Sequence, residues 1–268
     1  MRNTLKEKLA QGKKPLGTFV GTGSPAVVEC LGCAGLDFVI LDNEHSPIEA
    51  ETTADLVRAA ELRNVTPLAR VREISRPAIL KLLDVGVQGL IIPDVRTVDD
   101  VRRIVSYAKY APLGQRGFCP SRKDGWGTDP QCGVLDTMAH FNAETLVIPQ
   151  CETAEALADI EAIAATEGVD GIFIGPFDLS ISMGMPGDFE NPKFCAALER
   201  IRNACRAASS AGYSSGSSSF GTTGPPSSCV SIRSGASCVS SSRAASGHDS
   251  DSVSSAVCPY SSVNRGCV

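Results

Sequence analysis

The strongest constraint in this sequence is one pattern that recurs six times before residue 208. A short apolar run rich in β-branched residues is followed by one or two polar residues, then by an amphipathic stretch with helical spacing. The apolar runs are 16–20, 38–41, 67–71, 89–92, 146–148 and 171–174. The helical stretches are 25–34, 48–63, 76–85, 98–109, 154–166 and 192–208. In the fourth of these, Val98, Val101, Ile104, Val105 and Ala108 recur at the spacing of one helix face. The strand runs are apolar on both faces, as expected of strands covered from both sides. Six βα units of this kind predict an α/β fold with a parallel sheet, either closed into a barrel of the TIM (β/α)8 type or doubly wound. No GxGxxG or GxxxxGK[ST] follows any run, so the nucleotide-binding version lacks its signature.

A full (β/α)8 barrel needs eight strands and this pattern supplies six. The last two βα units are missing or unrecognisable after about residue 208. The final 60 residues hold 22 serines, whereas the first 208 hold seven. The tail contains no Leu, Lys, Glu, Met, Gln or Trp and carries no period of 2 or 3.6. Such a segment buries too little apolar surface to offset chain entropy, so its composition predicts disorder. The expected organisation is a catalytic barrel domain over 1–208 and a low-complexity tail over 209–268. The abrupt change inside a helical stretch favours an out-of-frame translation over a serine-rich linker or stalk.

Composition excludes several functions. A formal net charge of -5 gives no basic face for nucleic acid and no polybasic membrane patch. The first 14 residues are polar and charged, unlike a signal peptide, and no apolar run reaches the ~18 residues of a membrane span. A cytoplasmic enzyme is therefore expected. Cys30 and Cys33 have CxxC spacing, but no partner pair or strand-to-helix context goes with it; they read as two small residues on a helix.

In such barrels chemistry sits where strands end and loops begin. Polar residues fall there after runs two to six: Asp42-Asn43-Glu44-His45, Arg70, Asp94, Gln150-Cys151-Glu152 and Gly175-Pro176-Phe177-Asp178. Glu152 and Asp178 are the candidate metal ligands. Two carboxylates in one mouth repel unless a cation or proton lies between them. Hard oxygen donors suit Mg2+, Mn2+ or Co2+. The alternatives are that Glu152 caps the helix starting near Thr153 and that Asp178 caps a turn. His45 stands beside Asp42 and Glu44, and a carboxylate on one ring nitrogen would leave the other free for proton transfer. The alternative is an exposed loop histidine. Arg70, in an apolar context, needs an anionic partner: a substrate, an enolate or a structural acid. Gly175-Pro176 and Gly114-Gln115-Arg116-Gly117 offer backbone N–H groups to a carboxylate. The Gly/Pro-rich stretch 118–141, with Trp126 and His140, is long enough to be a substrate cover.

Taken together, these residues resemble the HpcH/HpaI aldolase family of class II pyruvate aldolases, in the citrate lyase β superfamily. The resemblance rests on Leu41-Asp42-Asn43-Glu44-His45-Ser46-Pro47, Ala69-Arg70-Val71, Leu90-Ile91-Ile92-Pro93, Gly114-Gln115-Arg116-Gly117, Gln150-Cys151-Glu152-Thr153 and the run from Gly171 to Ser180, and covers about 4–208. It implies metal-dependent retro-aldol cleavage of a 4-hydroxy-2-oxo acid to pyruvate and an aldehyde. By the same resemblance, Glu152 and Asp178 hold the divalent metal and Arg70 steadies the enolate oxygen. His45, oriented by Asp42, moves the 4-hydroxyl proton. Gln150 lies at the metal rim, and Gly175 and Pro176 hold the substrate carboxylate. The resemblance also implies a small-molecule 2-oxo acid as partner and a homo-oligomer, a hexamer, whose closing strands and last helix have no counterpart in 209–268. Asn43 departs from the family's usual glycine. The alternatives are a citrate-lyase-β-like or malyl-CoA-type lyase, and an inactive truncated barrel.

Overall fold

The computed structural model of the chain describes residues 2–128 and 133–212, with side chains to Ser209. The expected tail from residue 213 onward lies outside the described residues, as does Cys132. A short helix, α1 (Thr4–Ala10), comes first. There follow β1 (Gly17–Val20), α2 (Pro25–Cys33), β2 (Phe38–Asp42), α3 (Ala50–Leu62), β3 (Thr66–Arg70), α4 (Arg76–Asp84), β4 (Gly89–Ile92) and α5 (Val98–Ala108). The second half has α6 (Val134–Glu144), β5 (Leu146–Cys151), α7 (Ala154–Ala158), α8 (Ile160–Ala164), β6 (Phe173–Ile174), α9 (Pro176–Ser182) and α10 (Pro192–Gly212). Every strand run expected from the sequence is a strand. The helix expected over 154–166 is broken at Asp159, where φ is -102° and ψ is 14°. The last helix runs past Ala208 to Gly212.

All strand pairs are parallel, and the strand order is β1-β2-β3-β4-β5-β6. An order without reversal puts right-handed crossovers all on one side of the sheet. The other side must then be filled by strand side chains, which requires the sheet to curl. It does so: the rings of Phe19 on β1 and Phe173 on β6 meet edge to face at 5.9 Å. In a flat sheet those two strands would stand about 24 Å apart at the ~4.8 Å spacing between neighbours. The doubly wound alternative is thereby excluded, and the described residues form an all-parallel six-stranded half-barrel.

Alternation along the strands divides the core in two. Phe38, Ile40, Leu68, Ile91, Leu146, Ile148 and Phe173 point inward and pack with one another. Their neighbours Val39, Leu41, Ala69, Leu90, Ile92 and Val147 point outward against the helices. The inner cluster includes one residue from outside the sheet, Leu5 of α1, which is fully buried.

Helix α1 closes the amino-terminal end of the sheet, and sequence periodicity gave no sign of it. Asn3 caps it by accepting from the Lys6 N–H at 3.1 Å. The same side chain donates to the carbonyls of Gln88 at 3.0 Å and Glu144 at 2.8 Å. Thr66 Oγ1 accepts the Leu5 N–H at 3.1 Å. All three partners stand where strands begin.

The expected cover over 118–141 proves otherwise in its described part. It contains a 3-10 turn, Arg122–Gly127, and helix α6. The turn is tied to the carboxyl ends of α3 and α4. Arg122 pairs with Glu61 and donates to the Val85 carbonyl at 3.1 Å. Ser121 Oγ donates to the Asp84 carbonyl at 3.2 Å. Those helix ends lead into strand starts, so the turn lies at the end of the sheet opposite the strand termini. No helix among the described residues is long and apolar enough to cross a membrane.

If α1 is the plug of the inner core, Leu5→Ala will destabilise the fold by about 2–5 kcal/mol. Urea unfolding followed by circular dichroism measures this. A loss below about 0.5 kcal/mol would mean that the helix is an accessory.

Candidate active site

The alternation that fills the interior also decides which side chains reach the mouth. Counting by twos from the inward Ile40, Leu68, Ile148 and Phe173 gives Asp42, Arg70, Gln150 and Gly175. Glu152 follows Gln150 at the same parity. Sheet register brings them level: Asp42 stands beside Arg70, and Gln150 beside Phe173. The sequence therefore assembles these groups at the carboxyl end of the sheet by parity alone.

Asp42 and Arg70 form a two-pronged pair. Nε of Arg70 donates to Oδ1 of Asp42 at 2.9 Å and Nη2 donates to Oδ2 at 2.6 Å. The guanidinium also lies over the Phe19 ring, 4.8 Å from its centroid. Its third edge, Nη1, is 3.1 Å from Oε2 of Glu44. Burial alone would raise the Asp42 carboxyl. The hydrogen bonds and charge of Arg70, with the N–H groups of His45 and Glu44, outweigh burial and hold it below the ordinary carboxylate range.

Glu152 is buried and fixed at both oxygens. Oε1 accepts the Asp94 N–H at 2.6 Å, and Oε2 accepts from Nε2 of Gln150. Burial pushes its carboxyl above the usual range. The Asp94 N–H opposes the rise, and the negative charges of Glu44 and Asp178 add to it. Glu152 does not cap the next helix: Thr153 does, accepting from the Ala156 N–H at 3.0 Å. Asp178 sits exposed in the first turn of α9, near enough to Glu152 and Glu44 to raise both carboxyls. Oε1 of Gln150 is buried without a hydrogen-bond partner. Gly175 lets the backbone approach: a Cβ there would lie 2.7 Å from both Gln150 Nε2 and Glu152 Oε2. Pro176 occupies the first turn of α9 beside it.

The fit to a divalent cation rests on this donor set. Among the described residues no group of three or more His, Cys, Asp and Glu side chains is arranged as a metal cage. Glu152 and Asp178, with the orphaned Gln150 oxygen, would offer a sparse all-oxygen donor set. A hard cation that keeps most of its shell for water and substrate fits such a set.

Other expectations are redrawn. His45 lies at the mouth, two-thirds exposed, with Nε2 3.7 Å from Oε2 of Glu44. Asp42 touches its backbone N–H and not its ring. The N–H groups of Gly114, Gln115 and Arg116 are spent on the carbonyls of Tyr110, Ser106 and Lys109, so this stretch offers nothing to a carboxylate. Two residues carry roles that sequence reading did not assign. Phe19 supports Arg70, and an inward aromatic on β1 was its only signal. Asp94 presents its N–H to Glu152 from a left-handed conformation, φ 50°, which no sequence pattern announces.

A parallel sheet with its charged side chains gathered at the strand carboxyl ends is the layout of a β/α-barrel enzyme. The chain belongs to the HpcH/HpaI aldolase/citrate lyase family, whose profile matches residues 16–217. It is 34% identical over 214 residues to the 2-keto-3-deoxy-L-rhamnonate aldolase of Salmonella gallinarum, covering 78% of each chain. It is equally similar, 34% over 213 residues and 79% of each, to the 4-hydroxy-2-oxo-heptane-1,7-dioate aldolase of Salmonella dublin. Among solved structures, an HpcH/HpaI aldolase from Desulfitobacterium hafniense matches with a TM-score of 0.72 and 33% identity, over 76% of this chain and 78% of that one. A citrate synthase matches at 0.69 and 33%, with the same coverage. The expected enzyme class, a carbon–carbon lyase, is that of the named aldolases.

Two measurements test the site's architecture. The lowered Asp42 carboxyl contributes stability that is full above the unfolded aspartate value near 4 and is lost as pH falls through the folded value. Asp42→Asn should therefore lower stability at pH 7 and flatten its dependence between about pH 5 and 2. An unchanged slope would detach the pair from stability. Gly175→Ala should cost about 1–3 kcal/mol because Glu152 must move; a neutral effect by thermal unfolding would contradict the close approach.

Proposed function

We propose that this chain cleaves a 4-hydroxy-2-oxo acid by a divalent-metal-dependent retro-aldol reaction, giving pyruvate and an aldehyde. We also read the six described strands as part of an eight-stranded barrel of the TIM type. One observation carries the functional reading. Glu152, whose buried carboxyl is raised further by the charges of Glu44 and Asp178, shares a mouth with Asp178, with a buried orphaned amide oxygen, Gln150 Oε1, and with Arg70. That is an uncompensated arrangement until a cation enters.

In this reading Glu152 and Asp178 hold Mg2+, Mn2+ or Co2+. The ion, when bound, supplies Lewis acidity to the carboxylate and carbonyl oxygens of the 2-oxo acid, the electron sink that C–C cleavage requires. Gln150 lines the rim, and Gly175 and Pro176 border the place of the substrate carboxylate. Arg70, locked by Asp42, offers its remaining N–H groups to the negative charge that develops on the C2 oxygen. His45 takes the proton of the C4 hydroxyl as the C3–C4 bond breaks. The proton goes to His45 and the electron pair into the enolate; protonation of the enolate at C3 then gives pyruvate and balances the proton held by His45. The two named aldolases at 34% identity support the substrate class.

Coupled pyruvate detection with a synthetic 4-hydroxy-2-oxo acid tests this. Activity should vanish on chelation, return with Mg2+, Mn2+ or Co2+, and fall at least 100-fold in Arg70→Met. A chain that leaves such substrates untouched yet cleaves a CoA thioester or citrate would be a lyase of the alternative kind. The structural match to a citrate synthase makes that comparison worth including.

A further inference from the structure

We propose that Cys30 and Cys33 form a thiol–disulfide exchange site on the outer face of α2, and that it takes an anionic low-molecular-weight disulfide such as oxidised glutathione. This chemistry is separate from the reaction read at the mouth.

The two cysteines stand one turn apart on α2. Val28 is fully buried and marks the inward face of that helix. At roughly 100° per residue, Cys33 lies about 140° and Cys30 about 200° around the axis from it. Both are free thiols and both are exposed. A free cysteine that only packs behaves as a small apolar residue and is buried, so packing does not account for this pair. Cα atoms three residues apart on a helix are about 5 Å from each other, inside the span that a disulfide bridges. Tightening the last turn to 3-10 bonding eclipses side chains at that spacing. Cys33 is the last residue of α2. Bonding of that kind already begins there: the Gly35 N–H donates to the Gly32 carbonyl at 3.0 Å, with Gly35 at φ 88°.

Arg63 gives the pair its charge preference. A Cβ at Gly32 would lie 2.5 Å from Arg63 Cβ, so glycine lets α2 and the end of α3 close together. The arginine side chain then reaches Glu29, one turn before Cys33. Its Nε donates to Glu29 Oε2 at 3.2 Å and its Nη2 at 2.8 Å. The Glu29 hydrogen bond, then the ionised thiol of Cys33, and last that of Cys30 hold the guanidinium above its ordinary value. Cys33 is thus the sulfur more strongly coupled to the cation. Nη1 takes part in neither bond and remains for a carboxylate of the incoming disulfide.

The Cys33 thiolate attacks one sulfur of that disulfide, forming a mixed disulfide and releasing one glutathione thiolate. The Cys30 thiolate then attacks Cys33 Sγ, closing the internal bond and releasing the second. Two protein thiols are oxidised, one disulfide is reduced, and the two protons go to the released thiolates.

Peptide mass mapping of the full chain after treatment with oxidised glutathione tests this. Trypsin releases both cysteines in one peptide ending at Arg58, which holds no other cysteine. That peptide should lose two hydrogens and regain them with dithiothreitol. Cys30→Ser should arrest Cys33 as the mixed disulfide. Arg63→Gln should slow the reaction with oxidised glutathione several-fold and leave that with neutral hydroxyethyl disulfide unchanged. A pair that stays reduced, or is capped on both thiols without an internal bond, in a chain that remains folded by circular dichroism overturns the proposal.

Discussion

The period of two along a β-strand sets both the core and the site in this protein. Because all crossovers fall on one side, the inner face of the sheet has no helix to cover it. Inward side chains must fill it themselves, and Phe38, Ile40, Leu68, Ile91, Leu146, Ile148 and Phe173 do so. The same parity carried one or two steps further sets Asp42, Arg70, Gln150, Glu152 and Gly175 over the filled interior. Packing and chemistry are thus consecutive positions of one pattern. A one-residue slip in any strand would lose both together.

Charge imbalance is the second organising fact. Asp42, Glu44 and Glu152 face one deeply placed cation, Arg70, at the mouth, and Asp178 adds its charge beside Glu44 and Glu152. Arg70 satisfies Asp42 fully and Glu44 in part, and its aromatic support from Phe19 keeps it from swinging away. Glu152 leans on a backbone N–H and an amide, which bind a carboxylate but do not neutralise it. The remaining negative charge is what the proposed cation and substrate would balance.

Much of this was legible in the sequence. All six strand runs were, because buried parallel strands read as continuous apolar stretches between amphipathic ones. The residues after each run could be picked out as candidates because barrels keep their polar groups there. What escaped was decided by tertiary contacts. Helix α1 has only Leu5 and Leu9 to announce it, and its hydrogen bonds reach residues 66, 88 and 144. The turn after Ser121 looked like a cover because a Gly-rich segment shows length and not direction; Arg122 and Ser121 anchor it to the opposite end. The partner of His45 was read as Asp42 from the family resemblance; the structure sets that carboxylate against Arg70 and the His45 backbone N–H, a placement decided by the neighbouring strand. Asp94 acts through its backbone, to which sequence is blind.

The central claim is that Glu152 and Asp178 share one divalent cation. Electron paramagnetic resonance of Mn2+ titrated into the purified chain reads this directly, because free and bound ion differ in signal. The account predicts one site per chain, lost in both Glu152→Gln and Asp178→Asn although each variant remains folded. Equal Mn2+ binding by the wild type and both folded variants would contradict it.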